Sequence, residues 1–186
     1  MQKKLNVGMT LIELLVTLAI IGIALGTAVP SFNAMIARNR LATQTNDVLL
    51  AVNMARSEAL KVGGTVSLQA VQADDFSDDD ALPACTASNE FCLGWCIAEG
   101  NPGDCSGTIV RRFEAPTTTM RINSVEDVSS IQINGIGGLT NLGGGTVRQF
   151  DLCDSNGNGR RVLINLIGRS KSHKPDDPQS TKRPSC

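Results

Sequence analysis

Residues 14–37 are 24 consecutive positions without a charged side chain, and this run constrains the fold more than any other feature of the chain. About 20 apolar residues cross a bilayer as a helix, so the run reads as a membrane-spanning segment. Lys3 and Lys4 precede it, and basic residues favour the cytoplasmic side, which sends the rest of the chain outward. An ordinary secretory signal would close with a small-x-small cleavage site, and residues 24–28 offer only weak versions of one. Glu13 stands at the entrance to the run. A carboxylate is costly in hydrocarbon unless something pairs with it, so Glu13 reads as functional.

With 186 residues in all, one head domain of ordinary size remains after that segment. The net charge of -1 conceals an asymmetry. Residues 62–110 hold six Asp, two Glu and no Lys or Arg, whereas residues 160–186 hold seven Lys or Arg against two Asp. A basic tail of this kind suits a polyanionic partner. Aromatic residues make up 3 % of the chain and Tyr is absent, so the core has to come from Val, Ile, Leu and Ala. Six cysteines, Cys85, Cys92, Cys96, Cys105, Cys153 and Cys186, form an even set that fits an oxidising compartment. Six, three and eight residues separate the first four, which is not the paired spacing of structural zinc. Disulfides are expected instead of a metal, and the first four cysteines allow three local pairings.

Past Pro30 the pattern turns amphipathic. Leu41, Thr45, Val48, Val52, Ala55 and Ala59 recur at helical spacing, which predicts one helix over about 10–61. At 1.5 Å per residue such a helix is on the order of 80 Å long, so its second half has to pack on the head. Gly63-Gly64 ends it. Short β-like runs follow at 65–70, 94–98, 108–113, 120–123, 130–133, 147–153 and 161–167, separated by turns rich in Gly, Asn, Pro or Asp. The expected class is α+β, with antiparallel sheet on the helix. The Gly-rich segment 134–146 lacks the Lys-Ser/Thr of a phosphate-binding loop and reads as turns.

The string Gly8-Met9-Thr10-Leu11-Ile12-Glu13-Leu14-Leu15-Val16 resembles the prepilin cleavage and methylation motif of type IV pilins and type II secretion pseudopilins. The resemblance implies that a membrane peptidase cuts after Gly8, that Met9 becomes the methylated first residue, and that Glu13 meets the N-terminal amine of a neighbouring subunit. Met9 stands where the family most often has Phe, and Pro30 matches a helix-kinking proline of many members. Asn134-Gly135, Phe150-Asp-Leu-Cys-Asp154 and residues 161–169 resemble the head of the GspH/FimT/FimU subgroup of minor pilins and minor pseudopilins. The implied organisation is a leader at 1–8, a transmembrane and filament-core helix at 9–36, and a periplasmic head at 37–186. Within that head lie a Cys-rich insert at 74–105, which matches nothing in the subgroup pattern, and a basic tail at 160–186. The implied fold is type IV pilin-like: a long N-terminal helix packed on an antiparallel head with disulfides. As in many pilins, Cys153 would join Cys186 and loop the tail back onto the sheet.

Little in the chain suggests catalysis. His173, the only histidine, sits in a polar tail with no nucleophile near it in sequence. Residues 154–159 imitate the first half of a calcium loop, but Asn165 stands where the bidentate carboxylate belongs, so a turn is expected. The acidic run 74–80 reads as a solvated loop. Gly168-Arg169-Ser170-Lys171 resembles the Gly-Arg-x-Arg motif of DNA-binding FimT-type minor pilins, with Lys171 lacking the bidentate fork of the second arginine. Arg160, Arg161 and Lys174 add charge nearby. The expectation is a non-enzymatic minor pilin of a type IV pilus, held in the bacterial inner membrane before assembly and requiring no cofactor. Its expected partners are other pilins or pseudopilins, the prepilin peptidase, the inner-membrane assembly platform and double-stranded DNA. The alternative is a GspH-like minor pseudopilin of type II secretion that binds no DNA.

Overall fold

The structure, a computed structural model, describes residues 9–71, 91–100, 105, 107–114, 120–125, 128–140, 147–154 and 156–174, without the side chains of 27–30 and 92. Its first element is α1, Leu11–Val62. Thr10 precedes the helix, and its Oγ1 accepts a hydrogen bond from the Glu13 N–H at 3.3 Å, so a hydroxyl satisfies one of the orphan donors of the first turn. At the other end Gly63 takes φ 66° and donates its N–H to the Ala59 carbonyl at 2.9 Å. That left-handed cap stops the helix where only glycine is free of strain.

The chain divides into two compact units at Asn39/Arg40. In the first, the large apolar side chains of α1 from Leu14 to Ile36 are 47–72 % exposed, and the helix is long and apolar enough to cross a membrane. In the second, Leu41, Thr45, Val48, Ala51, Val52, Ala55 and Ala59 are at most 5 % exposed. All six positions of the expected stripe are buried, and the small Ala residues bring the backbone close to the strands.

Among the described residues eight strands follow: β1 Val66–Ala70, β2 Trp95–Glu99, β3 Ile109–Phe113, β4 Met120–Ser124, β5 Ser130–Ile133, β6 Val147–Asp154, β7 Gly159–Asn165 and β8 Ser170–His173. They form two four-stranded antiparallel sheets, ordered β3-β2-β1-β5 and β4-β6-β7-β8. Ile97, Ile131 and Ile133 from the first sheet join Ile122, Phe150, Leu152, Val162 and Ile164 from the second in one core with the helix stripe. Each such side chain contributes about 1.5–3 kcal/mol on burial. A 3₁₀ turn, Phe91–Leu93, sets Phe91 edge-on against Phe150 with centroids 5.2 Å apart.

The fold class is the expected one: a long N-terminal helix, an antiparallel head and a disulfide. Three details differ. The strands split between two sheets. Trp95–Glu99, inside the stretch read as an insert, is an interior strand of the first sheet. The polar segment Ser170–His173 is a strand paired with β7, and His173, expected in a solvated tail, is 8 % exposed. Backbone pairing with a formed neighbour, not side-chain hydrophobicity, makes β8 a strand.

Candidate functional site

Two regions carry the residues singled out from the sequence. At the N-terminal end, Gly8 lies outside the described residues. Met9 is 65 % exposed, and Glu13 occupies the first turn of α1, where a carboxylate also faces the positive end of the helix dipole. Thr10 and Glu13 have the spacing of a capping box. Around them the surface is apolar: Leu11 is 78 % and Ile12 66 % exposed.

The second region is the β7–β8 hairpin. Gly168 N–H donates to the Asn165 carbonyl at 2.8 Å, Asn165 N–H to the Arg169 carbonyl at 3.0 Å, and Arg169 N–H to Asn165 Oδ1 at 2.9 Å. Gly168 has φ 70°, and a Cβ there would overlap the Gly137 carbonyl oxygen. Leu139 N–H donates to the Leu166 carbonyl at 2.8 Å, tying the hairpin to the loop after β5. Gly137, at φ 81°, lies so close to Arg56 that a Cβ would stand 2.9 Å from its Nε. The hairpin that presents Arg169 is therefore clamped between loop and helix.

Strand alternation decides which of the expected cations come together. Leu163 pairs with Lys171 and Arg161 with His173, so Lys171 shares a face with Leu163 and Asn165. A groove of about 260 Å³ runs along that face, lined by Val147, Leu163, Asn165, Arg169, Lys171 and His173. Arg169, Lys171 and Lys174 are exposed, whereas Arg160 is half-buried and points to the other face. Arg161 requires a correction. Its guanidinium is 5 % exposed and meets Asp151 in a two-pronged ion pair, Nε to Oδ1 and NH2 to Oδ2, both 2.6 Å. A guanidinium buried in the head with its charge already met by a carboxylate is withdrawn from a phosphate at the surface. Sequence alone could not separate Arg160, Arg161 and Lys171, because their partners lie on other strands.

Cys96 is joined to Cys105, which fixes the end of β2 to the chain entering β3. Cys153 is disulfide-bonded and 6 % exposed. Cys85 and Cys186 lie outside the described residues, as do Lys182, Arg183 and the whole acidic run 74–80, and the Cys92 side chain is not described. The calcium-like segment closes on itself: Asp154 Oδ1 accepts the N–H groups of Asn156 at 2.9 Å and Asn158 at 2.8 Å, and Asp154 Oδ2 accepts Asn158 Nδ2 at 2.8 Å. Its carboxylate serves the β6–β7 turn.

The family model described as "Type II transport protein GspH" matches residues 44–168, from the buried half of α1 through the clamped hairpin. The chain belongs to the GspH family. Two crystal structures of the type IV minor pilin FimU from Pseudomonas aeruginosa share its fold. One has 19 % identity and a TM-score of 0.58, covering 78 % of this chain and 98 % of FimU. The other has 20 % identity and a TM-score of 0.60, covering 80 % and 95 %. No curated protein matches the chain. As a GspH-family protein it is a pilin-like structural subunit, not an enzyme. The strands that the GspH match spans are also those that hold the Asp151–Arg161 pair and the Gly137–Gly168 clamp.

Proposed function

We infer that the chain is a minor pseudopilin of type II protein secretion, anchored in the inner membrane by α1 with its head in the periplasm and then inserted into a short filament. The observation that carries this reading is the match of its head to the GspH family over residues 44–168. Cleavage after Gly8 exposes Met9 as the new N-terminus. Glu13 pairs with the amine of the adjacent subunit, where two poorly solvated charges set the register of neighbouring helices. The 47–72 % exposed apolar side chains of α1 become the contact surface with lipid before assembly and with other pilin-like helices after it. The peptidase, the assembly platform and fellow pseudopilins are the partners this scheme needs. Deleting the gene in its own host should abolish release of secreted proteins and leave surface pili intact. Loss of pili with secretion unchanged would reject the reading. Glu13→Gln should reduce incorporation at least tenfold in a cross-linking assay with unchanged membrane levels.

A second reading, a type IV minor pilin that contacts DNA, is favoured by one observation: exposed Arg169 and Lys171 line the same groove. With Arg161 withdrawn and Arg160 on the other face, Arg169, Lys171 and Lys174 remain, so about three phosphates are contacted, giving a salt slope of about -3 on a log–log plot. A gel shift of the full chain in detergent should then lose retardation in Arg169→Ala/Lys171→Ala. Absence of retardation at low salt would remove this reading and leave the first untouched.

A further inference from the structure

The first sheet ends at β3, which pairs with β2 and, among the described residues, with no strand on its other side. Four of its five residues are not buried. An edge strand is a template for another strand; β3 has no proline, its register against β2 shifts once between Ile97 and Ala98, and its charges are Arg111 and Arg112, so it accepts only a strand that answers those charges. Beside it a groove of about 430 Å³ runs between the edge and α1, lined by Gln44, Asp47 and Leu50 from the helix and by Arg111, Arg112, Phe113 and Glu114.

Charge on this edge selects its occupant. Arg111 and Arg112 are consecutive and so face opposite sides of the sheet, and both are exposed. The ion pairs among the described residues are Lys61–Glu58 and Arg161–Asp151, and neither involves Arg111 or Arg112. Arg111 is held in place: it lies 5.1 Å over the Phe113 ring and its NH1 donates to the Met54 sulfur at 3.8 Å. A second copy of β3 laid antiparallel would bring arginines against arginines, a destabilising cross-strand arrangement. Asp47 and Glu114 in the same groove equally disfavour a dense polyanion such as nucleic acid. What fits is an extended peptide segment with single carboxylates spaced along it.

The geometry points to β3 as the docking edge for an acidic extended segment of a different protein, which adds as a fifth strand to the first sheet. Its carboxylates meet Arg111 on one face and Arg112 on the other, and its backbone takes the unpaired edge. This proposal does not depend on whether the filament belongs to secretion or to a pilus.

Trp95 is the chain's one tryptophan and stacks on Phe113 at 5.5 Å, directly beneath this site, so its emission reports binding there. The full chain in detergent is titrated with a capped nonapeptide of alternating Val and Thr bearing Asp at positions 4 and 7. Its Lys counterpart and a version N-methylated at alternate residues serve as comparisons. The Asp peptide should change Trp95 emission saturably, and the other two should bind at least tenfold more weakly. Arg112 is exposed and has no side-chain ion pair among the described residues, so Arg112→Ala should weaken binding about fivefold, with Arg112→Lys restoring part of it. Arg121→Ala on the second sheet should leave it unchanged. Equal binding of the Lys peptide, of the N-methylated peptide or by Arg112→Ala would overturn the proposal, as would no response at all. A full-chain dimer strengthened by Arg112→Ala would overturn it too, by making a second copy the occupant.

Discussion

Up to Asn39, α1 presents Leu15, Leu18, Ile20 and Ile23 at 53–72 % exposure; from Leu41 onward the same kind of helix holds Val52, Ala55 and Ala59 at zero. Backbone geometry does not distinguish the two stretches. What differs is the solvent each is written for. The first has apolar residues on every side, which only lipid or other helices can cover. The second has one apolar stripe and a polar flank, and the chain's own strands cover the stripe. The contrast extends to charge, since residues 14–37 of the anchor carry none whereas the head buries a whole ion pair inside one sheet.

Removing half of that ion pair should break the head hardest. Arg161→Ala removes the guanidinium that meets both carboxylate oxygens of buried Asp151, and should cost about 3–5 kcal/mol in chemical denaturation, while an equally drastic change at exposed Arg169 costs next to nothing. Charge added to the anchor should do comparable harm by a different route. Ile20→Lys raises the cost of membrane insertion by about 2.5–3.5 kcal/mol, visible as protein released by alkaline extraction, and Asn53→Lys on the solvated flank of the second stretch should insert normally.

A matched pair of larger side chains sharpens the comparison further. Ala55→Leu forces extra volume between helix and strands and should destabilise by about 1–3 kcal/mol; Ala19→Leu, on the exposed first stretch, should leave unfolding unchanged and insertion slightly improved. If both behave alike, the two stretches are not written for different surroundings. The smallest effect belongs to the surface pair at the end of α1. The Glu58 carboxylate, 2.8 Å away, holds the exposed Lys61 ammonium above its ordinary value. Its contribution is fully present at neutral pH and disappears only as pH rises through the raised Lys61 value. Because the Lys61 side is exposed and the pair is screened by solvent, Lys61→Met should give no measurable change even at pH 7, where the contribution is present in full.

Much of this was legible in residue spacing. The helix runs Leu11–Val62 against an expected 10–61, and the seven expected strands all form, because helical and alternating periodicities record which side chains face a core. His173 and β8 were not legible. Ser170-Lys171-Ser172-His173 has no alternation of apolar residues, and it becomes a strand because β7 is already there to pair with. Trp95–Glu99 was legible as a strand but not as an interior one, since position in a sheet is a property of neighbours.

Sequence by itself marked the long helix, seven of the eight described strands and the apolar run with Glu13 at its entrance. Only tertiary structure decided that Arg161 is spent on Asp151, that Arg160 and Lys171 face opposite ways, and that β3, with its two exposed arginines, lies at a sheet edge among the described residues. The physical reason is range. Secondary structure follows from contacts within a few residues, which local pattern encodes, whereas the availability of a charge depends on which group, ten or sixty residues away, the fold brings within about 3 Å of it.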